Sequence, residues 1–140
     1  LGRVLTVRKT QGWETRLDAV MVAALAKPFV WGTHDCGTFA AECIDAQCET
    51  GLAQELRDAA VYASAEDAAL LDLKATVSRW LGPKTYPINR CTKGDIVLYA
   101  DDEGDPYGLA VYEGQQIVAP HADGLKRVNM RRAICGWRVG

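Results

Sequence analysis

The stretch Phe29-Val30-Trp31-Gly32-Thr33-His34-Asp35-Cys36 decides the reading of this chain. An aromatic-glycine turn delivers a cysteine to the first turn of a helix, Asp35-Cys36-Gly37-Thr38-Phe39-Ala40-Ala41-Glu42-Cys43-Ile44. Asp35 opens that helix, where its carboxylate can cap free N–H groups, a contribution of about 1 kcal/mol. A thiol at this point faces unpaired N–H groups and the positive end of the helix dipole. Both favour the thiolate and lower a thiol pKa from about 8.5 toward neutrality. A nucleophilic cysteine also needs a base within hydrogen-bond reach, and the chain offers two histidines, His34 and His121.

Working outward, residues 12 to 27 carry Leu17, Val20, Met21, Ala24 and Leu25 at the three-and-four spacing of one helix face, and Pro28 closes that helix. The helix bearing Cys36 runs from about 35 to 47, with Phe39, Ala40, Cys43, Ile44 and Gln47 on one side, a pattern for central burial. Residues 52 to 63 read as a short helix or irregular stretch ending at Tyr62. Ser64-Ala65-Glu66-Asp67 is a capping sequence that opens a helix to Leu81 with Leu70, Leu73, Val77, Trp80 and Leu81 inward. Gly82-Pro83 stops it.

The second half changes character. Gly94-Asp95 turns into the strand Ile96–Ala100, and an acidic turn, Asp101 to Pro106, leads to Leu109-Ala110-Val111-Tyr112. Short strands follow at 116–119, 125–128 and 134–139, separated by Gly turns. Helices first and an antiparallel meander afterwards is an α+β plan, built as a single domain over residues 1–140.

Composition narrows the function. A chain of 140 residues, 49% hydrophobic, buries a core without staples. A formal net charge of −2 argues against a nucleic-acid partner. The cluster Lys126, Arg127, Arg131 and Arg132 reads as a solvated face. No run approaches the roughly 20 apolar residues of a membrane span, and no signal-peptide pattern is present, so synthesis and assembly in the cytoplasm are expected. The five cysteines, an odd number without a CxxC pair, read as reduced thiols that pack as small hydrophobes. Cys36 and Cys43 lie about 10 Å apart along their helix, too far for a disulfide. No metal and no cofactor is expected; the alternative, resting on cysteine count alone, is a metal or iron–sulfur site that uses Cys43, Cys48 or Cys91.

Taken in order, the Pro28-Phe29, Trp31-Gly32, His34-Asp35-Cys36, Gly94-Asp95, Asp123-Gly124-Leu125 and Trp137-Arg138-Val139 motifs, with Trp13 before them, resemble the NlpC-like branch of papain-fold cysteine peptidases. Within that branch the resemblance is closer to one subset, small phage and prophage proteins of about this length encoded among tail-tip genes. The resemblance implies a papain-like fold, with N-terminal helices packed on a C-terminal antiparallel sheet or partly closed barrel, and Cys36 at the nucleophile position. Active members carry the base in a His-Val-Gly-Ile-Tyr strand; laid on Gly108-Leu109-Ala110-Val111-Tyr112, that slot holds Gly108. The third, imidazole-orienting position falls near Ala119.

With both supporting slots empty, the expectation is a catalytically inactive structural component of a phage tail tip or baseplate. It would be located in the virion tail, with other tail-tip or baseplate proteins as partners. The alternative is an active peptidoglycan cysteine peptidase carried on the tail, using Cys36 with His121 or His34. His34 alone reads as a lock for the helix entrance, its ring bonding carbonyls of the Phe29–Trp31 loop. Asp95 reads as the residue that fixes the turn into its strand. The four tryptophans, Trp13, Trp31, Trp80 and Trp137, read as packing between helices and sheet.

Overall fold

Helices precede strands, as the hydrophobic periodicities require, in the computed structural model, which describes residues 7–59, 64–65 and 71–140. Among the described residues, α1 spans Trp13–Ala24, α2 Cys36–Cys48, α3 Leu52–Asp58 and α4 Leu73–Leu81. The strands are β1 (Ile96–Ala100), β2 (Pro106–Tyr112), β3 (Ile117–His121), β4 (Gly124–Val128) and β5 (Ala133–Trp137). They form one antiparallel sheet in the order β4-β3-β2-β1-β5. The class is α+β, and the sheet is open rather than closed into a barrel.

α2 is the central element. Phe39, Ala40, Cys43, Ile44 and Gln47 are fully buried, as their spacing predicts, and so are Thr38 and Ala41. The helix packs on α1, α3, β2 and β3. Small residues on its flanks let the neighbours approach, while Phe39 and Ile44 each contribute about 1.5–3 kcal/mol by leaving water. Leu98, Leu109, Val111 and Trp137 face this helix layer. Val97, Tyr99, Ala110, Ile117 and Ala119 form a second cluster on the other face of the sheet. Trp80 and Trp137 are buried between α4 and β5, where the Trp137 indole donates to the Ser78 hydroxyl at 3.2 Å. Trp13 packs against the same core from its edge, whereas Trp31 is half-buried and meets Phe29 edge-on.

Two helices differ from expectation. α1 ends at Ala24, not 27, and Leu25 is 61% exposed instead of completing the apolar face. The Leu25 N–H turns back to Val22, tightening the last turn, and Gly124, the first residue of β4, closes over the Leu25 carbonyl. The single helix expected from Ser64 to Leu81 is interrupted. Asp72 adopts an extended backbone and accepts from the Ala75 N–H at 3.0 Å, so α4 starts afresh at Leu73. Tyr62 and Leu70 lie outside the described residues.

One buried joint ties α2 to the sheet. The Gln47 amide donates to the carbonyls of Cys43 at 3.0 Å and Gly94 at 2.9 Å. Gly94 has φ +95, and a Cβ there would lie 2.0 Å from Gln47 Oε1. Next to it the fully buried Asp95 carboxylate accepts from the N–H of Thr92 at 2.8 Å and of Val139 at 3.2 Å, and pairs with Arg138 at 3.1 Å. The Gly-Asp motif is therefore architectural. Asp95 fixes the turn into β1, as expected, and also holds the chain that leaves β5. Gly94→Ala combines a left-handed backbone with a steric clash, so it should lower stability by about 2–4 kcal/mol, read from urea unfolding midpoints.

Candidate functional site

The Phe29–Cys36 turn closes on itself before α2 begins. Val30 and His34 exchange main-chain bonds of 2.9 and 2.8 Å, and the Phe29 and Trp31 rings meet edge-on at 4.7 Å. Asp35 is the N-cap. Its carboxylate accepts from the N–H groups of Thr38 and Gly32, each at 2.8 Å, and the Thr38 hydroxyl accepts from the Asp35 N–H at 2.8 Å. This reciprocal box satisfies helix N–H groups that would otherwise point at a substrate or a thiolate. Asp35 caps, as its position predicts.

Cys36 therefore starts α2 facing β2. The β2–β3 ladder pairs only Val111 with Val118 and Tyr112 with Ile117. Leu109 lies past its end, and the Leu109 N–H is directed at the Cys36 thiol, with the N–H groups of Gly37 and Cys36 adding to it. These dipoles favour a thiolate, but burial outweighs them and the Asp35 charge adds to burial. Together they push the thiol up to about 11. The lowering expected from the helix dipole is overruled by desolvation. Cys36 is half-buried, whereas Cys43, Cys48, Cys91 and Cys135 are buried free thiols, each pushed up chiefly by burial.

Neither histidine hydrogen-bonds the thiol. His121 ends β3 on the surface, where its Nδ1 accepts weakly from the Asp123 N–H at 3.5 Å. His34 locks the helix entrance through its main chain, not its ring. The imidazole is 5% exposed, and among the described residues no group bonds either nitrogen. Leaving such a donor unmade costs about 1–3 kcal/mol. Burial pulls the His34 pKa down, and Glu42, Lys27, Arg57 and Asp35 act on it in opposing directions.

The two slots implied for a base and its partner are filled by packing. Gly108 pairs with Tyr99 across β1 and β2, and a Cβ at Gly108 would lie 2.8 Å from the Tyr99 hydroxyl. The phenol occupies the space that a side chain at 108 would enter. Ala119 is fully buried on the face of the sheet away from α2. Tyr99 is the residue sequence reasoning missed; its signal was an aromatic in β1 opposite a glycine in β2, a pairing in which the ring covers the bare backbone. Burial pushes the Tyr99 phenol up, with the Cys36 and Tyr107 charges adding to it.

Beyond Tyr99, the open face of the sheet carries a groove of about 610 Å³ between the acidic β1–β2 turn and the segment from Lys126 to Arg132. Its walls neutralise one another. Asp102 pairs with Arg132, and Asp101 is engaged by the N–H groups of Glu103 and Asp105. Tyr107 is exposed at the rim. Among the described residues no three His, Cys, Asp or Glu side chains converge as a metal site, and no helix is long and apolar enough to cross a membrane.

A family model described as Domain of unknown function (DUF6950) matches residues 8–139. No curated protein and no solved structure matches the chain.

The site makes two expectations measurable. Alkylation of Cys36 by iodoacetamide, resolved from the other cysteines by mass spectrometry, should accelerate about tenfold per pH unit up to roughly pH 10. His121→Ala should leave that profile unchanged; a plateau near neutral pH would instead reveal a paired thiolate. Gly108→Ala should cost about 1–3 kcal/mol. Tyr99→Phe removes the oxygen nearest the added methyl and should recover part of that cost, giving a coupling of about 0.5 kcal/mol or more in a double-mutant cycle.

Proposed function

We propose that this chain, which belongs to the DUF6950 family, is a structural component of a bacteriophage tail tip or baseplate whose papain-like, NlpC-type fold no longer catalyses. The observation that carries the reading is the state of Cys36: half-buried against β2, its thiol pushed up to about 11 by desolvation, and hydrogen-bonded to no histidine among the described residues. A nucleophile needs a thiolate and a base, and this cysteine has neither. Its contacts are those of a packing residue that receives the unpaired Leu109 N–H where β2 parts from β3.

The tail setting is supported by the resemblance carried by the ordered motifs from Trp13 to Trp137-Arg138-Val139. In that setting the protein is assembled in the host cytoplasm and resides in the virion tail. Its partners are neighbouring tail-tip or baseplate proteins, which bind its surface and not a substrate cleft. The competing reading, a peptidoglycan cysteine peptidase carried on the tail, draws on the N–H groups of Leu109 and Gly37 that converge on the thiol. Such donors would stabilise an oxyanion if His121 or His34 reached Cys36.

Cys36→Ala introduced into the encoding phage separates the two. Complete tails with plaque counts equal to those of the parent are the expected result. Complete tails with infectivity lost would transfer the protein to the peptidase reading, and digestion of purified peptidoglycan by the parent protein but not the variant would establish it.

A further inference from the structure

His34 sits in a place made for a ring without polar atoms. It packs edge-on against Phe39, with centroids 5.9 Å apart and planes at 72°. A phenyl ring would make the same contact and leave no buried nitrogen unpaired. What imidazole adds at this position is the capacity to take a proton.

The surroundings oppose that proton. Glu42 on α2 faces the ring but is paired with Arg57 of α3, and Asp35 faces it but is engaged by the N–H groups of Thr38 and Gly32. Arg57 and Lys27 face it as cations. Arg57 also donates to the Thr33 carbonyl at 3.0 Å, so the ion pair beside the ring ties down the same turn. A charged imidazole here has two cations against it and two carboxylates already committed, at a ring only 5% exposed.

We propose that His34 is an acid-sensitive latch: on taking a proton its ring leaves the pocket beside Phe39, and the turn from 29 to 35 opens at the N-terminus of α2. The sign follows from linkage. Burial sets the closed-state pKa below the ordinary 6.5, so the open state binds the proton more tightly. The closed turn is favoured in full above that ordinary value, and the preference is lost as pH falls through the lowered one.

The 140 residues hold two histidines, so NMR resolves the buried His34 ring from the exposed His121 ring. His34 should titrate below 6.5. Over the same range, hydrogen-exchange protection of the Val30, Gly32, Thr33 and His34 amides, corrected for intrinsic rates, should fall about tenfold between roughly pH 7.5 and pH 5. The Gly94 and Tyr112 amides, bonded across β1 and β2, should hold their protection. In His34→Phe the fall should vanish. An unchanged fall in His34→Phe, or a His34 ring titrating at or above the free value, would overturn the latch. The titration of the parent ring needs no variant, and so decides the matter even if the substitution prevents folding.

Discussion

Everything about the site depends on the contact between Gln47 and Gly94. A buried amide at the end of α2 bonds the carbonyl of a left-handed glycine at the entrance of β1, and no side chain at 94 would allow that approach. Asp95 then gathers Thr92, Arg138 and Val139 around one buried carboxylate. A buried acid is tolerated when several donors and a cation meet it. The joint sets the distance of α2 from the sheet and ties the strand meander to the chain that leaves β5. At the other end of α2, Cys36 is thereby held against β2 where that strand diverges from β3.

At that point two physical effects compete for the thiol. Helix and strand N–H groups favour the anion, and withdrawal from water favours the neutral form. Desolvation prevails because the dipoles are partial charges, while burial strips hydration from a full charge. The Asp35 carboxylate, already engaged as a cap, adds repulsion. No histidine among the described residues hydrogen-bonds the thiol to shift that balance. The glycine and the tyrosine account for each other: bare backbone on β2 makes room for the phenol on β1.

The capping of α2 and the burial of His34 belong to the same turn. Main-chain bonds between Val30 and His34, the Asp35 box and the Arg57 bond to Thr33 all close it. The imidazole is the one member of that set whose side chain works against closure, because its nitrogens are buried and bond no group among the described residues. That combination of a well-bonded frame and one poorly accommodated titratable ring makes the turn responsive to protons.

The apolar spacing of α2, the cap at Asp35, the Gly94-Asp95 turn and the alternation of strands after helices were all legible in the sequence, because each is local chemistry repeated at a helix or strand period. Boundaries such as Ala24 and Asp72 were not, since Gly124 packing over Leu25 and the Asp72 cap compete with the simple periodic pattern. The two histidines and the cysteine could be named as candidates from residue type alone. Whether they meet could not, because His34 is two residues from Cys36 and His121 is brought to its place by two strands. Sequence by itself determined which elements form and that a cysteine opens a buried helix, since those depend on neighbours along the chain. Tertiary structure alone decided the upward push on that thiol, the packing of Tyr99 over Gly108 and the burial of the His34 ring, because desolvation is a property of what surrounds a group in space.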